Sequence, residues 1–305
     1  MSSEFRPEEY MPFVKPVPVA KEVVSAPMEE PADHQPNLLS TLLLLLIGAI
    51  MLVVAGLAIT LGGGALHLLP SDPAKMAQGY PKTSILIELA TFALTFLVAW
   101  QLFPRMWHRG FGKTIQWHGR TALQYLPWLA GGGVLLSVFA QVLESRLNLQ
   151  KKMPIDDFFQ HPSDVWVVAL FGTLVAPVCE EIFFRGFLLR GLAIAFDWTT
   201  RKLTPSDTID RGEPSAPGPL TRNAWIVAGI ISSGLFAAMH AKQLGFAWSA
   251  VAVLWLVGAV LTTIRIRLNS VAASTVVHAV YNGWIFVVIF FVTDGFRHLD
   301  KVTSH

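Results

Sequence analysis

Two adjacent glutamates and an arginine lie in the middle of a long apolar stretch of this sequence. Glu180, Glu181 and Arg185 occur within residues 177–187, inside the apolar run 165–195. A charged side chain at the centre of a membrane helix costs about 2.5–3.5 kcal/mol on insertion scales. Such residues usually face a protein interior, pair with one another and serve a function. The stretch is therefore predicted to hold a functional site inside a membrane helix.

Helical spacing assigns different roles to the two glutamates. Glu181 and Arg185 are four residues apart and share a helix face, which favours a structural ion pair between them. Glu180 lies about 100° further round the helix and is left available. A carboxylate beside an imidazole is suited to act as a general base on water, so the sequence favours Glu180 for that role.

Two other apolar segments carry imidazole and amide groups. His240 ends one segment, and His278 and Asn282 stand four residues apart on another. Two glutamates, two histidines and an asparagine on three neighbouring helices exceed what helix cohesion requires. Hydrolysis fits this set: Glu180 and one histidine would deprotonate a water, and the other histidine with Asn282 would donate hydrogen bonds to an oxyanion. A zinc site formed by Glu180, His240 and His278 is left open.

Other intramembrane chemistries lack their motifs. The sequence has no HExxH, no GxSxG and no pair of intramembrane aspartates, which argues against zincin-type, serine and aspartyl proteases. Its one cysteine, Cys179, excludes an internal disulfide and any CxxC site. We interpret Cys179 as a small packing residue.

The composition is that of an integral membrane protein. Hydrophobic residues make up 53% of the chain and charged residues only 14%, whereas soluble proteins have about 25% charged residues. The net charge of +2, without a basic patch interleaved with aromatics, gives no indication of nucleic-acid binding. The fold class predicted is all-α, a polytopic transmembrane bundle of about seven spans.

The apolar runs divide the chain into four predicted regions. Residues 1–36 are a disordered polar tail, 37–164 hold three spans with interfacial loops, 165–293 form a catalytic core of four helices, and 294–305 are a tail. Within the core, residues 196–222 are predicted to be a polar loop. The predicted spans cover residues 38–61, 83–103, 122–143, 165–195, 224–239, 246–264 and 271–292.

Two finer predictions concern the membrane surface. Glu88, near the start of the second span, is interpreted as an interface residue, and residues 105–120 as an interfacial basic and aromatic segment. Loops on the N-terminal side carry thirteen Lys and Arg residues against eight on the other side. The positive-inside rule therefore predicts a cytosolic N-terminus, in a cell (inner) membrane.

Taken together, the motifs resemble those of a known family. Glu180-Glu181-x-x-x-Arg185, Phe236-x-x-x-His240 and His278-x-x-x-Asn282 are similar, in order and spacing, to the three-motif signature of the CPBP family. That family comprises type II CAAX prenyl proteases and bacteriocin-processing, Abi-like proteins. The resemblance covers residues 165–292.

The resemblance implies an intramembrane endopeptidase acting on a membrane-associated or CAAX-like substrate. It implies that Glu180 is the catalytic acid, that His240 helps to position the water, and that His278 and Asn282 are oxyanion donors. Family members are described both as metalloproteases and as metal-free glutamate enzymes, so zinc remains open. The implied partners are the lipid bilayer and a membrane protein or peptide substrate, and the oligomeric state is not assigned.

Two other functions compete with the peptidase. A non-catalytic immunity or scaffold protein could use the same core to bind a partner. A proton- or cation-coupled transporter could use Glu88, Glu180 and His278 as its path, although no inverted repeat is visible in the sequence.

Overall fold

Helices account for all the regular secondary structure in the residues described. The structure is a computed structural model that describes residues 35–66, 81–147, 162–203 and 219–300. Over these ranges it contains no strand, and seven helices are long and apolar enough to cross a membrane. Both the all-α class and the prediction of about seven spans are confirmed, and the chain is a multi-pass membrane protein.

The helices are numbered here in chain order. The N-terminal half contains α1 Leu38–Ala65, α2 Pro81–Trp107, α3 Phe111–Thr114, α4 Gly119–Gln124 and α5 Leu126–Arg146. The C-terminal half contains α6 Pro162–Leu170, α7 Ala176–Glu181, α8 Leu189–Leu203, α9 Arg222–Met239, α10 Trp248–Leu268 and α11 Val271–Val292.

The fourth span is a helix interrupted twice by wider, π-helical turns. Phe171–Val175 separates α6 from α7, and Ile182–Leu188 separates α7 from α8. Pro177 lies in the first turn of α7, where its missing N–H is tolerated. π-Helical turns often occur at functional sites. The two glutamates therefore end a short α-helical segment with an irregular turn on each side.

The last helix, α11, packs against α5, α10 and α7. It approaches α5 closely at Gly133, where an added Cβ would lie 2.8 Å from the backbone oxygen of Val277 and 2.8 Å from Cβ of Val280. Gly133 is the third of three consecutive glycines, Gly131-Gly132-Gly133, and the lack of a side chain permits this close contact. This contact positions the helix that carries His278 and Asn282.

Substituting that glycine should loosen the bundle. We expect Gly133→Ala to lower stability by about 1–3 kcal/mol, the usual cost of overpacking a close contact. Gly132→Ala is the matched control because nothing lies within 4 Å of its added Cβ. Thermal unfolding of both variants in detergent makes the comparison. Equal effects of the two substitutions would contradict the close α5–α11 contact.

The basic and aromatic segment 105–120 is not purely interfacial. Trp107 and Phe111 are buried, and their rings lie 5.6 Å and 6.0 Å from the ring of Phe187, measured between centroids. The interpretation of the segment as interfacial did not include this packing of Trp107 and Phe111 inside the bundle. Phe187, two residues after Arg185, gives them an apolar surface to pack against inside the bundle.

Two of the predicted region boundaries differ from those in the structure. The loop predicted at 196–222 is helical up to Leu203, since Asp197 forms a 2.7 Å ion pair with Arg201 and accepts a hydrogen bond from the backbone of Thr221. The predicted C-terminal tail, which starts at residue 294, contains Phe296, and this side chain is buried in one cluster with Val165. Some predictions concern residues outside the described ranges. These are most of the predicted N-terminal tail (residues 1–34), residues 148–161 and the centre of the predicted loop (residues 204–218).

Candidate active site

A fully buried ion pair forms the base of the candidate site. Arg185 Nη1 lies 3.0 Å from Glu181 Oε1, and both side chains have no solvent exposure. Arg185 Nη2 donates a hydrogen bond of 3.0 Å to the carbonyl of Gly258 on α10, and its guanidinium carbon lies 4.6 Å from the ring centre of Phe236. The pair predicted from the four-residue spacing is thus present, and it joins the fourth span to α9 and α10.

His240 is the capping residue that directly follows Met239, the last residue of α9. Its Nδ1 lies 2.8 Å from the carbonyl oxygen of Phe236, one turn earlier, and its Nε2 lies 3.7 Å from Glu180 Oε1. The carbonyl oxygen of Phe236 can only accept a hydrogen bond, so we assign the ring proton of His240 to Nδ1. In the neutral ring, Nε2 is then an acceptor directed at Glu180.

His278 connects the ion pair to Glu180. Its Nδ1 lies 3.1 Å from Glu181 Oε1, and its Nε2 lies 3.7 Å from Glu180 Oε2. The Glu181 carboxylate, paired with Arg185, accepts a hydrogen bond, so we assign a proton to Nδ1 of His278 as well. Spacing in the sequence does not predict this contact between His278 and Glu181, because the two residues lie on different helices.

Glu180 therefore lies between two imidazoles without a direct hydrogen bond to either. The distances of 3.7 Å from its oxygens to the two Nε2 atoms exceed hydrogen-bond length. Its side chain is 15% exposed, whereas that of Glu181 is fully buried. The spacing suits a small bridging molecule with two protons to donate.

Asn282 is held by the first π-helical turn. Its Nδ2 donates a hydrogen bond of 2.8 Å to the carbonyl oxygen of Gly172. An amide nitrogen carries two hydrogens, so the second N–H and the Oδ1 atom of Asn282 are left for other partners. The irregular turn at 171–175 thereby fixes the orientation of this amide.

All four predicted site residues line one cavity of about 260 Å³. Its volume is just below the range of about 300–1,000 Å³ typical of small-ligand pockets. The cavity is lined by Glu180, His240, His278 and Asn282, together with Ile85, Glu88, Val168, Phe171, Gly172, Ala176, Phe236, Gln243, Leu254, Tyr281, Ile285 and Phe286. The structure thus brings together Glu180 and Asn282, which are about a hundred positions apart in the sequence.

Glu88, Gln243 and Tyr281 are polar residues of this wall that were missed or misinterpreted from the sequence. Glu88 lines the cavity, so its interpretation as an interface residue is incomplete. The signal that drew attention to Glu180, a charge within an apolar span, was also present at Glu88. Gln243 lies in the turn after His240 and carried no sequence signal.

A zinc ion fits this donor set poorly. Each imidazole donates its Nδ1–H to a protein oxygen, as metal-ligating histidines often do. A zinc site also requires that the ligand atoms all lie about 2.0–2.3 Å from one common point. Within the described ranges, no group of three His, Cys, Asp or Glu residues could hold a metal ion. As placed, Glu180, His240 and His278 do not form a zinc site, and the reaction proposed below contains no zinc-dependent step.

Comparison with family models places this site in a known domain. The model described as type II CAAX prenyl endopeptidase Rce1-like matches residues 162–284. This part of the chain is an Rce1-like domain. The match confirms the resemblance drawn from the three motifs. Comparison with curated proteins gave no match, and neither did comparison with solved structures.

The Rce1-like domain contains every residue predicted for the site. It begins at α6 and ends within α11, so it includes Glu180, Glu181, Arg185, His240, His278 and Asn282. Glu88 lies outside the matched domain, because α2 precedes residue 162. Its side chain nevertheless lines the same cavity. The family that this domain belongs to is one of type II CAAX prenyl endopeptidases, so the match implies an intramembrane endopeptidase of the CAAX type.

Proposed function

We propose that this chain is an intramembrane endopeptidase that hydrolyses a peptide bond of a membrane-associated substrate, with Glu180 as the general base. One observation carries the proposal: Glu180, His240, His278 and Asn282, from three helices, line one cavity, and both imidazoles direct Nε2 at Glu180. General acid–base groups must lie within reach of the reacting water, and this arrangement supports that requirement.

The nucleophilic water would sit between Glu180 and His240. Glu180 and the neutral His240 Nε2 are both acceptors, so one water can donate a proton to each of them. Glu180 removes one of these protons as the water oxygen bonds to the carbonyl carbon of the substrate. His240 keeps the water oriented because the Phe236 carbonyl holds the imidazole by its other nitrogen.

Asn282 and His278 would stabilise the oxyanion that results. Asn282 offers its second N–H. His278 can donate from Nε2 only when it carries both ring protons, because the proton on Nδ1 is already directed at Glu181, 3.1 Å away. When the tetrahedral intermediate collapses, the C–N bond breaks and the proton on Glu180 passes to the leaving amine. The products are a new carboxylic acid, which loses its proton to water to become a carboxylate, and a new amine.

Removing the amide donor should slow this reaction. We expect Asn282→Ala to lower kcat by about 10²–10³-fold, the usual effect of losing one oxyanion donor. Because the lost contact forms mainly in the transition state, KM should change much less. Steady-state kinetics of the purified protein measures both. An increase in KM alone would assign Asn282 to substrate binding.

The experiment that tests the proposed function uses the full chain in proteoliposomes. The wild type is incubated with a prenylated CAAX peptide and, separately, with a library of unmodified peptides, and new termini are identified by mass spectrometry. We expect cleavage of at least one of these two probes. A wild type that cleaves neither would contradict the proposal and favour a scaffold without catalytic activity.

A further inference from the structure

The cavity contains a carboxylate that the proposed reaction does not use. Glu88 reaches the cavity from α2 and lines it together with Glu180 and His240. The side chain of Glu88 is exposed, not packed away in protein. Among residues whose side chains the structure describes, none forms an ion pair or a hydrogen bond with it. Glu88 is therefore available to a bound molecule.

The lining of the cavity has a negative charge balance. Its ionisable residues are two glutamates, two histidines and Tyr281, and no lysine or arginine is among them. Most of the remaining wall is aliphatic or aromatic. Apolar walls focus the field of a charge and lower the screening by water. The cavity should therefore attract a cationic group and repel an anionic one.

We propose that Glu88 selects substrates that carry a lysine or arginine side chain beside the scissile peptide bond. This inference rests on the proposed peptidase function and names its substrate class. Glu180 is occupied by the reacting water, so the substrate cation pairs with Glu88. A carboxylate paired with an ammonium or guanidinium forms one of the stronger hydrogen bonds available in proteins. Aspartate or glutamate at the same substrate position would be repelled.

The test profiles the cleavage sites of four proteins. Wild type, Glu88→Gln, Glu88→Lys and Glu144→Gln are incubated in proteoliposomes with one synthetic library of peptides blocked at both ends. The cleaved bonds are then identified by mass spectrometry. Glu144 is the matched control because it is a glutamate of another span, α5, that does not line the cavity.

We expect wild type and Glu144→Gln to cleave preferentially beside Lys or Arg. In Glu88→Gln, the ratio of basic to neutral cleavage sites should fall by about tenfold, since one charge-assisted hydrogen bond is lost. In Glu88→Lys the preference should reverse toward Asp and Glu, an outcome that a merely structural role would not produce.

Two results would overturn the inference while leaving the peptidase function intact. The first is an unchanged basic preference in Glu88→Gln. The second is an equal loss of preference in Glu144→Gln, which would assign the effect to the overall charge of the bundle. Absence of cleavage by all four proteins would overturn this inference, whereas the peptidase function would be overturned only if the prenylated CAAX peptide also stayed uncleaved.

Discussion

Glu180→Gln should reduce the rate of peptide cleavage by about 10²–10⁴-fold, the contribution expected from a positioned general base. The amide keeps the size of the side chain but cannot take a proton from water. Glu180 forms no ion pair with an arginine or lysine in the described structure, and its contacts with His240 and His278 are long. The substitution should therefore leave folding and membrane insertion intact, and kcat of the purified variant is the quantity to measure.

The control for this variant is Glu144→Gln, which also replaces a glutamate within a span by its amide. Glu144 does not line the cavity, so cleavage by Glu144→Gln should stay near the wild-type rate. Thermal unfolding of both variants in detergent checks that they are folded. Full activity of folded Glu180→Gln would refute the assignment of Glu180 as the base.

Arg185→Met should strongly destabilise the protein. The substitution removes the cation that lies 3.0 Å from Glu181 Oε1, where both side chains are fully buried. Breaking a buried ion pair by removing one partner costs about 3–5 kcal/mol, because the other charge stays buried and uncompensated. The loss is measured as a fall in thermal stability in detergent, and cleavage should fall with it because Glu181 also holds His278.

Two further variants separate the buried charge from simple loss of contacts. The double variant Glu181→Gln/Arg185→Met removes both charges and should recover most of the lost stability, since neutral replacements of buried pairs are often tolerated. Arg201→Met breaks an ion pair of the same four-residue spacing in which Arg201 is 48% exposed, and should cost about 0–1 kcal/mol. If the single and double variants at the buried pair were equally unstable, an uncompensated charge would not be the cause.

Spacing along the helices was sufficient to predict the ion pair between Glu181 and Arg185. Glu181 and Arg185 share a face because they are four residues apart, and this holds although a π-helical turn begins at Ile182. The order of the three motifs predicted the Rce1-like domain. Span number followed from the length of the apolar runs, which the thickness of a bilayer constrains.

Contacts between helices could not be predicted in this way. The hydrogen bond from Asn282 to the Gly172 carbonyl depends on a π-helical turn that no residue in 171–175 signals. The proximity of His278 to Glu181 depends on how α11 is rotated against α7. Local spacing reports which residues of one helix share a face, and says nothing about which face of the next helix they meet.

The position of Glu88 illustrates the same limit. α2 is apolar around most of its circumference, so its sequence does not specify which side faces the bundle and which faces lipid. Only the packed structure shows that Glu88 lines the cavity with Glu180. The packing of Trp107 and Phe111 inside the bundle was not predicted for a related reason, because aromatic residues suit both a membrane interface and a packed core.

The most direct test of the central claim is cleavage in water enriched in ¹⁸O, followed by mass spectrometry of the products. The purified wild type in proteoliposomes should place ¹⁸O in the new carboxyl group of the N-terminal fragment. Folded Glu180→Gln should show at most about a hundredth of that incorporation in the same time. Incorporation at the wild-type rate in Glu180→Gln, or cleavage by the wild type without ¹⁸O in the product, would contradict hydrolysis by a water that Glu180 activates.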